Sequence, residues 1–567
     1  MKKPVLAALV FTLVLPLAAQ AQAQALKAPR NVVIFVADGL RYGSVTAANT
    51  PNLWQLKREG VDFANSHSLF PTVTTVNASA ISTGHYIGDT GNFGNTLWSG
   101  APLKSENGSP MGGMEDPAVQ AELNQRFEGN YLGETSLMAR ARAAGWSTAV
   151  IGKTGATRIQ DTTAPADNSQ TLIVDDNMGK EAGFPLPAWV QGQLAKAYVA
   201  PVMPAVTYPN IEQQVNLAKL ATRIVLPHFK AEGKPFLLTF WSRDPDISQH
   251  NSRDSQGELD PGINGPTSLA AVRNADTTLG EIRAALKALG LDKTTDIFIT
   301  ADHGFVTNAR SSATSPSAKN GEISAGFLAS DLSGALKLKR DGNMLGEDPA
   351  RPDVIIAPNG GNALIYLPGT HASQQARDIA AFLTTQDYVS GLFVNDRLGK
   401  VPGALAMSDV NLIGSARTPQ PDLVVNLRSF AGACGTLQCA RGNYGNPTGQ
   451  GSHGSLSRAE TRNFMAAIGP SFKAGYVNPA PVSNADIAPT MAHVMGLDLP
   501  ARGKLTGRVI REALKGGAPA RVARRTLVSE PAANGLRTYL DTQSVGQNRY
   551  FDAAGFPGRT VGLSAAK

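Results

Sequence analysis

The chain has 567 residues, 42% of them hydrophobic and 17% charged, an ordinary globular composition with length for three or four average domains. Its formal net charge of +7 becomes +5 without Lys2 and Lys3, which is mild for this length. Basic residues such as Arg521, Arg524 and Arg525 are few and have little aromatic company, which excludes a nucleic-acid polymer as partner.

Residues 1–25 read as a secretory signal peptide. Lys2 and Lys3 are followed by an apolar run at 4–19 that contains Pro16, and then by Ala-Gln-Ala repeats that offer cleavage points. The run is short for a membrane span and no later stretch is long and apolar enough for one. Cleavage is expected to leave a periplasmic or secreted protein with no membrane anchor. From residue 31 on, near-continuous β-branched runs stop abruptly at polar residues. Residues 31–37 (NVVIFVA) stop at Asp38, 147–151 at Gly152-Lys153, 236–241 before Arg243-Asp244, and 296–301 (DIFITA) at Asp302. Residues 422–427 and 464–468 are similar. Such runs suit strands buried on both faces. Helical patterns lie between them at about 50–59, 135–144, 269–289 and 486–494, each with a Gly just beyond. The alternation predicts a three-layer α/β/α sandwich with a mostly parallel central sheet. Ligands bind such sheets at the carboxyl ends of strands, where Asp38, Lys153, Asp246 and Asp302 should gather. Residues 97–130 and 305–350 look like loop or cap insertions that cover the site. The tail from about 515 is weakly patterned. Cys434 and Cys439 read most simply as a local disulfide in an oxidising compartment, with a metal pair as the alternative.

The chemistry-bearing residues come in small groups. Asp302-His303-Gly304 sets a carboxylate beside an imidazole just past a strand. Asp246 and His250 are four residues apart, so one helical turn brings both to one face. Asp244 competes as a ligand but lacks that spacing. His453 lies in Gly451-Ser452-His453-Gly454, where the flanking glycines leave its imidazole accessible. Of the eight histidines, His67, His85, His228, His371 and His493 are read as structural. Together with Asp38 the groups supply three carboxylates and three imidazoles, a set suited to two Zn²⁺ ions with open positions. Two metals roughly 4 Å apart can clamp the attacking and leaving oxygens of an in-line displacement, which is what phosphoryl transfer needs. Residues 70–85 (FPTVTTVNASAISTGH) are crowded with hydroxyls and carry no charged side chain, which raises the question of which one is the nucleophile.

Eight stretches occur together and in order: VADGL (36–40), TPNLWQLKREGV (50–61), FPTVT (70–74), Gly94-Asn95, DPDISQH (244–250), TADHG (300–304), GSHG (451–454) and DIAPTMAHVMGL (486–497). On these the sequence resembles the alkaline phosphatase superfamily, and within it the nucleotide pyrophosphatase/phosphodiesterase branch. The resemblance implies one metallo-hydrolase catalytic domain over 26–514, with a C-terminal extension at 515–567. It implies that Asp38, Thr74, Asp302 and His303 hold one zinc, and that Asp246, His250 and His453 hold the other. It selects Thr74, the last residue of Phe-Pro-Thr-x-Thr, as the nucleophile of a phosphothreonine mechanism, and Asn95, 21 positions on, as a donor to a phosphoryl oxygen. The implied function is a zinc-dependent hydrolase of small phosphoric esters, foremost a phosphodiesterase or nucleotide pyrophosphatase.

Two features depart from the branch. Thr75 stands where the branch has a phenylalanine that helps stack a nucleobase. Lys153, in GWSTAVIGK (145–153), resembles the lysine with which sulfatases and some phosphomonoesterases touch the transferred group. An alkaline phosphomonoesterase using Lys153, assisted by Arg158, is therefore the alternative reading. A phosphonate or sulfate ester hydrolase ranks below both. No Cys-x-Pro-x-Arg signature occurs, which argues against sulfatases with a modified cysteine.

Overall fold

The computed structural model describes residues 30–564, so the signal-peptide reading of residues 1–25 lies outside it. Eight strands form the central sheet: β1 (Asn31–Ala37), β2 (Val61–Phe63), β3 (Ser147–Gly152), β4 (Leu172–Asp175), β5 (Phe236–Ser242), β6 (Thr295–Thr300), β7 (Met465–Ile468) and β8 (Tyr476–Asn478). Their order is β8-β2-β7-β6-β1-β5-β3-β4. Strands β6, β1, β5, β3 and β4 are parallel, whereas β7 runs antiparallel to both β2 and β6.

The layers follow from side-chain alternation along β1. The helices concerned are α1 (Pro51–Glu59), α2 (Thr74–Thr83), α3 (Leu137–Ala143), α4 (Asp246–His250), α5 (Pro266–Ala288) and α6 (Ile487–Met495). Val32, Ile34 and Val36 enter a core shared with α2, α3 and α6. Val33, Phe35 and Ala37 enter a separate core with α1 and α5. A strand apolar at every position needs helices on both faces. Each fully buried Val, Ile or Phe contributes about 1.5–3 kcal/mol of hydrophobic stabilisation. The mostly parallel α/β/α sandwich expected from the runs is the fold observed.

Between β6 and β7 the chain builds a second, seven-stranded sheet. The run at 422–427 belongs here, as the strand Leu423–Leu427 between Asn362–Tyr366 and Val389–Val394, and not to the central sheet. A strand buried on both faces reads alike in either sheet. One face of the second sheet, including Ile355, Leu364, Phe393 and Val424, joins the core that holds α2. The other, including Ile356, Ile365 and Val425, packs on the helices Phe327–Leu336 and Ala372–Thr384.

The segments read as loops carry short elements whose length hides any periodicity. Residues 305–350 include strand Val306–Asn308 and the helix Phe327–Leu336. Residues 97–130 include the hairpin strand Met111–Gly113, paired with Thr96–Trp98, and the helix Pro117–Arg126. Past residue 515, Ala523–Val528, Tyr539–Val545 and Asn548–Gly555 form an antiparallel sheet. Cys434 and Cys439 are joined as a disulfide, with their Cα atoms 5.8 Å apart. Among the described residues no helix is long and apolar enough to cross a membrane.

Candidate active site

Four neighbouring strands, β6, β1, β5 and β3, end at one edge of the sheet, and there the sequence turns from apolar to charged. Asp38 follows β1 directly, Lys153 follows β3 directly, and Asp302-His303 follow β6 after one residue. Beyond β5 the chain turns into α4, a single turn that presents Asp246 and His250 together, with Nε2 of the imidazole 3.3 Å from Asp246 Oδ1. His453 arrives from the far part of the chain. Its Nε2 lies 3.2 Å from His250 Nε2 and 3.6 Å from Asp246 Oδ1. His303 Nε2 lies 3.3 Å from Asp302 Oδ2 and 3.7 Å from Asp38 Oδ1. Two triads result, Asp38/Asp302/His303 and Asp246/His250/His453, each with its ligand atoms within 4.8 Å of one another.

Thr74 is the first residue of α2, whose N-terminus carries partial positive charge. Its Oγ1 accepts a hydrogen bond from Lys153 Nζ at 3.1 Å and lies 3.5 Å from His303 Nε2. The helix is buried along its whole length although it is rich in hydroxyls. Its side chains bond back to the main chain: Ser79 to Thr75 O at 2.8 Å, Thr83 to Ser79 O at 2.7 Å and Thr75 to Gly94 O at 2.9 Å. Hydroxyls satisfied in this way can be buried without charge. Thr75 is therefore spent on a backbone carbonyl and turned into the protein. Asn95 is fixed next to Thr74, because its Oδ1 accepts from the Thr75 N–H at 3.0 Å.

Arg158 is the exception among the expected residues. Its Nη1 donates to Ala164 O and its guanidinium lies over the Phe184 ring, and among the described residues no hydrogen bond joins it to Lys153 or Thr74.

The electrostatics prepare the two triads for cations. Each imidazole sets its Nδ1 against a backbone carbonyl: His250 against Gly451 at 3.0 Å, His303 against Gly304 at 3.0 Å and His453 against Thr72 at 2.8 Å. With Nδ1–H as the donor, the Nε2 lone pairs turn inward. Burial lowers His303, and burial together with the neighbouring imidazoles holds His453 well below its ordinary value, which keeps both neutral. Burial opposes the charge on Asp246, but Lys153 and His250 outweigh it and hold the carboxyl well below the usual range. Burial, and then Asp302, push Asp38 well above that range. Burial also opposes the Lys153 charge, yet Asp246, Asp38 and Glu115 hold it above its ordinary value. Asp38 Oδ1, Asp246 Oδ1 and Asp302 Oδ2 are buried with no hydrogen-bond partner among the described residues. Unpartnered carboxylate oxygens are costly to bury, and beside inward imidazole lone pairs they fit divalent cations.

Two participants were not foreseen from the sequence. Trp241 Nε1 donates to Asp38 Oδ2 at 2.7 Å. It sits near the end of an apolar run and reads as core. Glu115 places Oε1 3.0 Å from Lys153 Nζ, and nothing in its polar, glycine-rich surroundings marks it. His85, read as structural, forms a third buried group with Asp89 and Glu134. The carboxylate oxygens of that group are already taken by the N–H groups of Ser415, Leu505, Arg502 and Gly503.

The family model described as type I phosphodiesterase / nucleotide pyrophosphatase matches residues 32–455, from β1 through His453. Human ectonucleotide pyrophosphatase/phosphodiesterase 5 is similar in structure, with a TM-score of 0.51 and 15% identity, covering 86% of this chain and 100% of its own. The murine protein of that name gives a TM-score of 0.51 and 14% identity over the same shares. No curated protein matches the chain. The match across most of the sequence, on a fold shared with these structures, means that the chain belongs to the type I phosphodiesterase / nucleotide pyrophosphatase family.

Proposed function

We propose that the protein is a phosphoric ester hydrolase working through a phosphothreonine on Thr74, foremost a phosphodiesterase or nucleotide pyrophosphatase for small esters. The observation that carries this is the place of Thr74 Oγ1, between Lys153 Nζ and His303 Nε2 where the two triads meet. Asp38, Asp302 and His303, with Thr74, would hold one Zn²⁺, and Asp246, His250 and His453 a second. When bound, such ions supply positive charge that lowers the pKa of a hydroxyl and neutralises phosphoryl oxygens. Thr74 Oγ1 gives its proton to solvent and bonds phosphorus as the bond to the leaving ester oxygen breaks, and that oxygen departs with a proton taken up from solvent. Water then hydrolyses the phosphothreonine and restores the hydroxyl. Asn95, tethered at its Oδ1, offers its amide N–H₂ to a phosphoryl oxygen. Lys153, within 3.1 Å of Thr74 Oγ1, favours a second reading as a phosphomonoesterase, since a monoester carries one more negative charge. The same reading treats 26–514 as the catalytic unit and places the protein in an oxidising, extracytoplasmic compartment, as the disulfide favours.

The test is a panel of bis-p-nitrophenyl phosphate, nucleotide esters and p-nitrophenyl phosphate, assayed at alkaline pH with and without chelator. We expect ester cleavage that chelator removes and that Thr74→Ala lowers by at least about 10³-fold. Metal analysis should find two zinc ions per chain. A fully active Thr74→Ala protein, or fewer than two bound ions, would sink the mechanism. A monoester preference of about 10³-fold or more would favour the second reading.

A further inference from the structure

Lys153 is surrounded by more carboxylates than a phosphoryl-binding lysine needs. Its ammonium lies 3.1 Å from Asp38 Oδ2, 3.4 Å from Asp246 Oδ2 and 3.0 Å from Glu115 Oε1, as well as 3.1 Å from Thr74 Oγ1. In the reading above, Asp38 and Asp246 are committed to cations. Among the described residues, Glu115 is the one carboxylate paired with Lys153 that belongs to neither triad.

Its position is built rather than incidental. Glu115 comes from the segment at 97–130 and is set against the turn that follows Lys153. Gln120 Nε2 donates both to Met114 O at 2.7 Å and to Gly155 O at 3.1 Å, clamping the two stretches together. Gly155 has φ +75°, and a Cβ there would stand 2.5 Å from Glu115 O, so only glycine lets the backbones approach this closely. The Glu115 side chain is 38% exposed, yet its Oε1 is buried against the Lys153 ammonium.

A diester brings one negative charge to phosphorus, and a monoester dianion brings two. The second charge is what an uncompensated lysine beside the nucleophile would reward, and a carboxylate on that lysine cancels the reward. We propose that Glu115 sets the ester preference of this site. By neutralising Lys153 it tips the enzyme toward singly charged phosphodiesters and away from monoesters. This rests on the proposed function and names its substrate class. Glu115 acts through Lys153 and needs no contact with substrate.

The experiment compares kcat/KM for p-nitrophenyl phosphate and bis-p-nitrophenyl phosphate in wild type, Glu115→Gln, Glu115→Asp, Lys153→Met and the Glu115→Gln/Lys153→Met double variant. Calorimetric titration with inorganic phosphate is run beside it. Glu115→Gln should raise the monoester-to-diester ratio about tenfold and tighten phosphate binding to a similar degree. Glu115→Asp, which keeps the charge, should stay within about threefold of wild type, and in the Lys153→Met background the Glu115→Gln change should shift the ratio by less than about twofold. A ratio that is unchanged or lowered in a Glu115→Gln enzyme still able to cleave an ester overturns the inference and leaves the proposed function standing. So does an equal rise with Lys153 absent. A wild-type protein that cleaves neither ester overturns both.

Discussion

Trp241 shows how a single donor can matter beside a cluster of acids. Its neutral indole N–H donates to Asp38 Oδ2 at 2.7 Å, and the charged Lys153 ammonium lies 3.1 Å from the same oxygen. The carboxylate is thereby aimed so that its second oxygen, Oδ1, is left without a hydrogen-bond partner among the described residues. Groups that orient a ligand in this way typically change metal affinity 10–100-fold when removed. Trp241→Phe keeps most of the buried ring and loses the donor. It should weaken zinc binding by about tenfold or more in a titration of chelator-stripped protein. An affinity within about twofold of wild type would show that Lys153 alone orients Asp38. At this scale legibility depended on contrast. Asp38, Lys153 and Asp302 stand out because an apolar strand stops at them. Trp241 and Glu115 do not, since the first continues the apolar run and the second sits in a polar segment with no pattern to break. Thr75 was legible as a departure from its family, but its buried bond to Gly94 O could not be read from its neighbours.

Among the elements, the hairpin formed by Val354–Asn359 and Asn362–Tyr366 does what no sequence pattern announced. Its tip grips the loop that carries His453. The Gly361 N–H donates to His453 O at 2.7 Å, and Asn362 Nδ2 donates to Gly454 O at 2.8 Å. On the other side, His453 Nδ1 and Thr72 O are 2.8 Å apart, so the imidazole is held between the second sheet and the lead-in to α2. Gly360 sits at the tightest point, with φ +63° and a would-be Cβ 2.1 Å from His453 O. Gly360→Ala must push that carbonyl away and carry the imidazole with it. Misplacing a reacting group by about 1 Å can cost about 10²-fold in rate. We expect kcat/KM to fall at least tenfold for either ester, while the far-ultraviolet circular dichroism stays that of wild type. A fully active variant would mean that the His453 loop is positioned elsewhere. Five of the eight central strands, β1, β3, β5, β6 and β7, and the helices α1, α3, α5 and α6 were legible to within a few residues, because each buries a long enough apolar pattern. The hairpin's role was not, because its tip grips the loop through the Gly361 N–H and the Asn362 amide, and neither residue breaks a pattern in the sequence.

For the whole molecule, the question is whether the C-terminal sheet is an appendage or part of the catalytic body. The sequence past residue 515 shows little pattern, since polar residues such as Asp541, Thr542 and Gln543 hold consecutive buried positions of its middle strand. The structure threads it into the main core all the same. Leu540, Phe551 and Ala554 belong to the cluster that also contains Val32 of β1 and Val76 of α2. The Ala554 N–H donates to Leu456 O, and Thr461 Oγ1 donates to Asp552 O at 2.7 Å, so the sheet brackets the segment just after His453. Phe551 is only 4% exposed and meets the Tyr86 ring edge-on at 6.5 Å between centroids. Removing a buried phenylalanine typically costs 3–5 kcal/mol. If the core is continuous, that loss falls on the whole chain and not on the extension alone. Phe551→Ala should therefore lower the midpoint of one calorimetric transition, and zinc added to stripped protein should raise that same midpoint by binding only the folded state. A separate early transition that zinc does not move would instead make the extension an independent unit, with no part in holding His453.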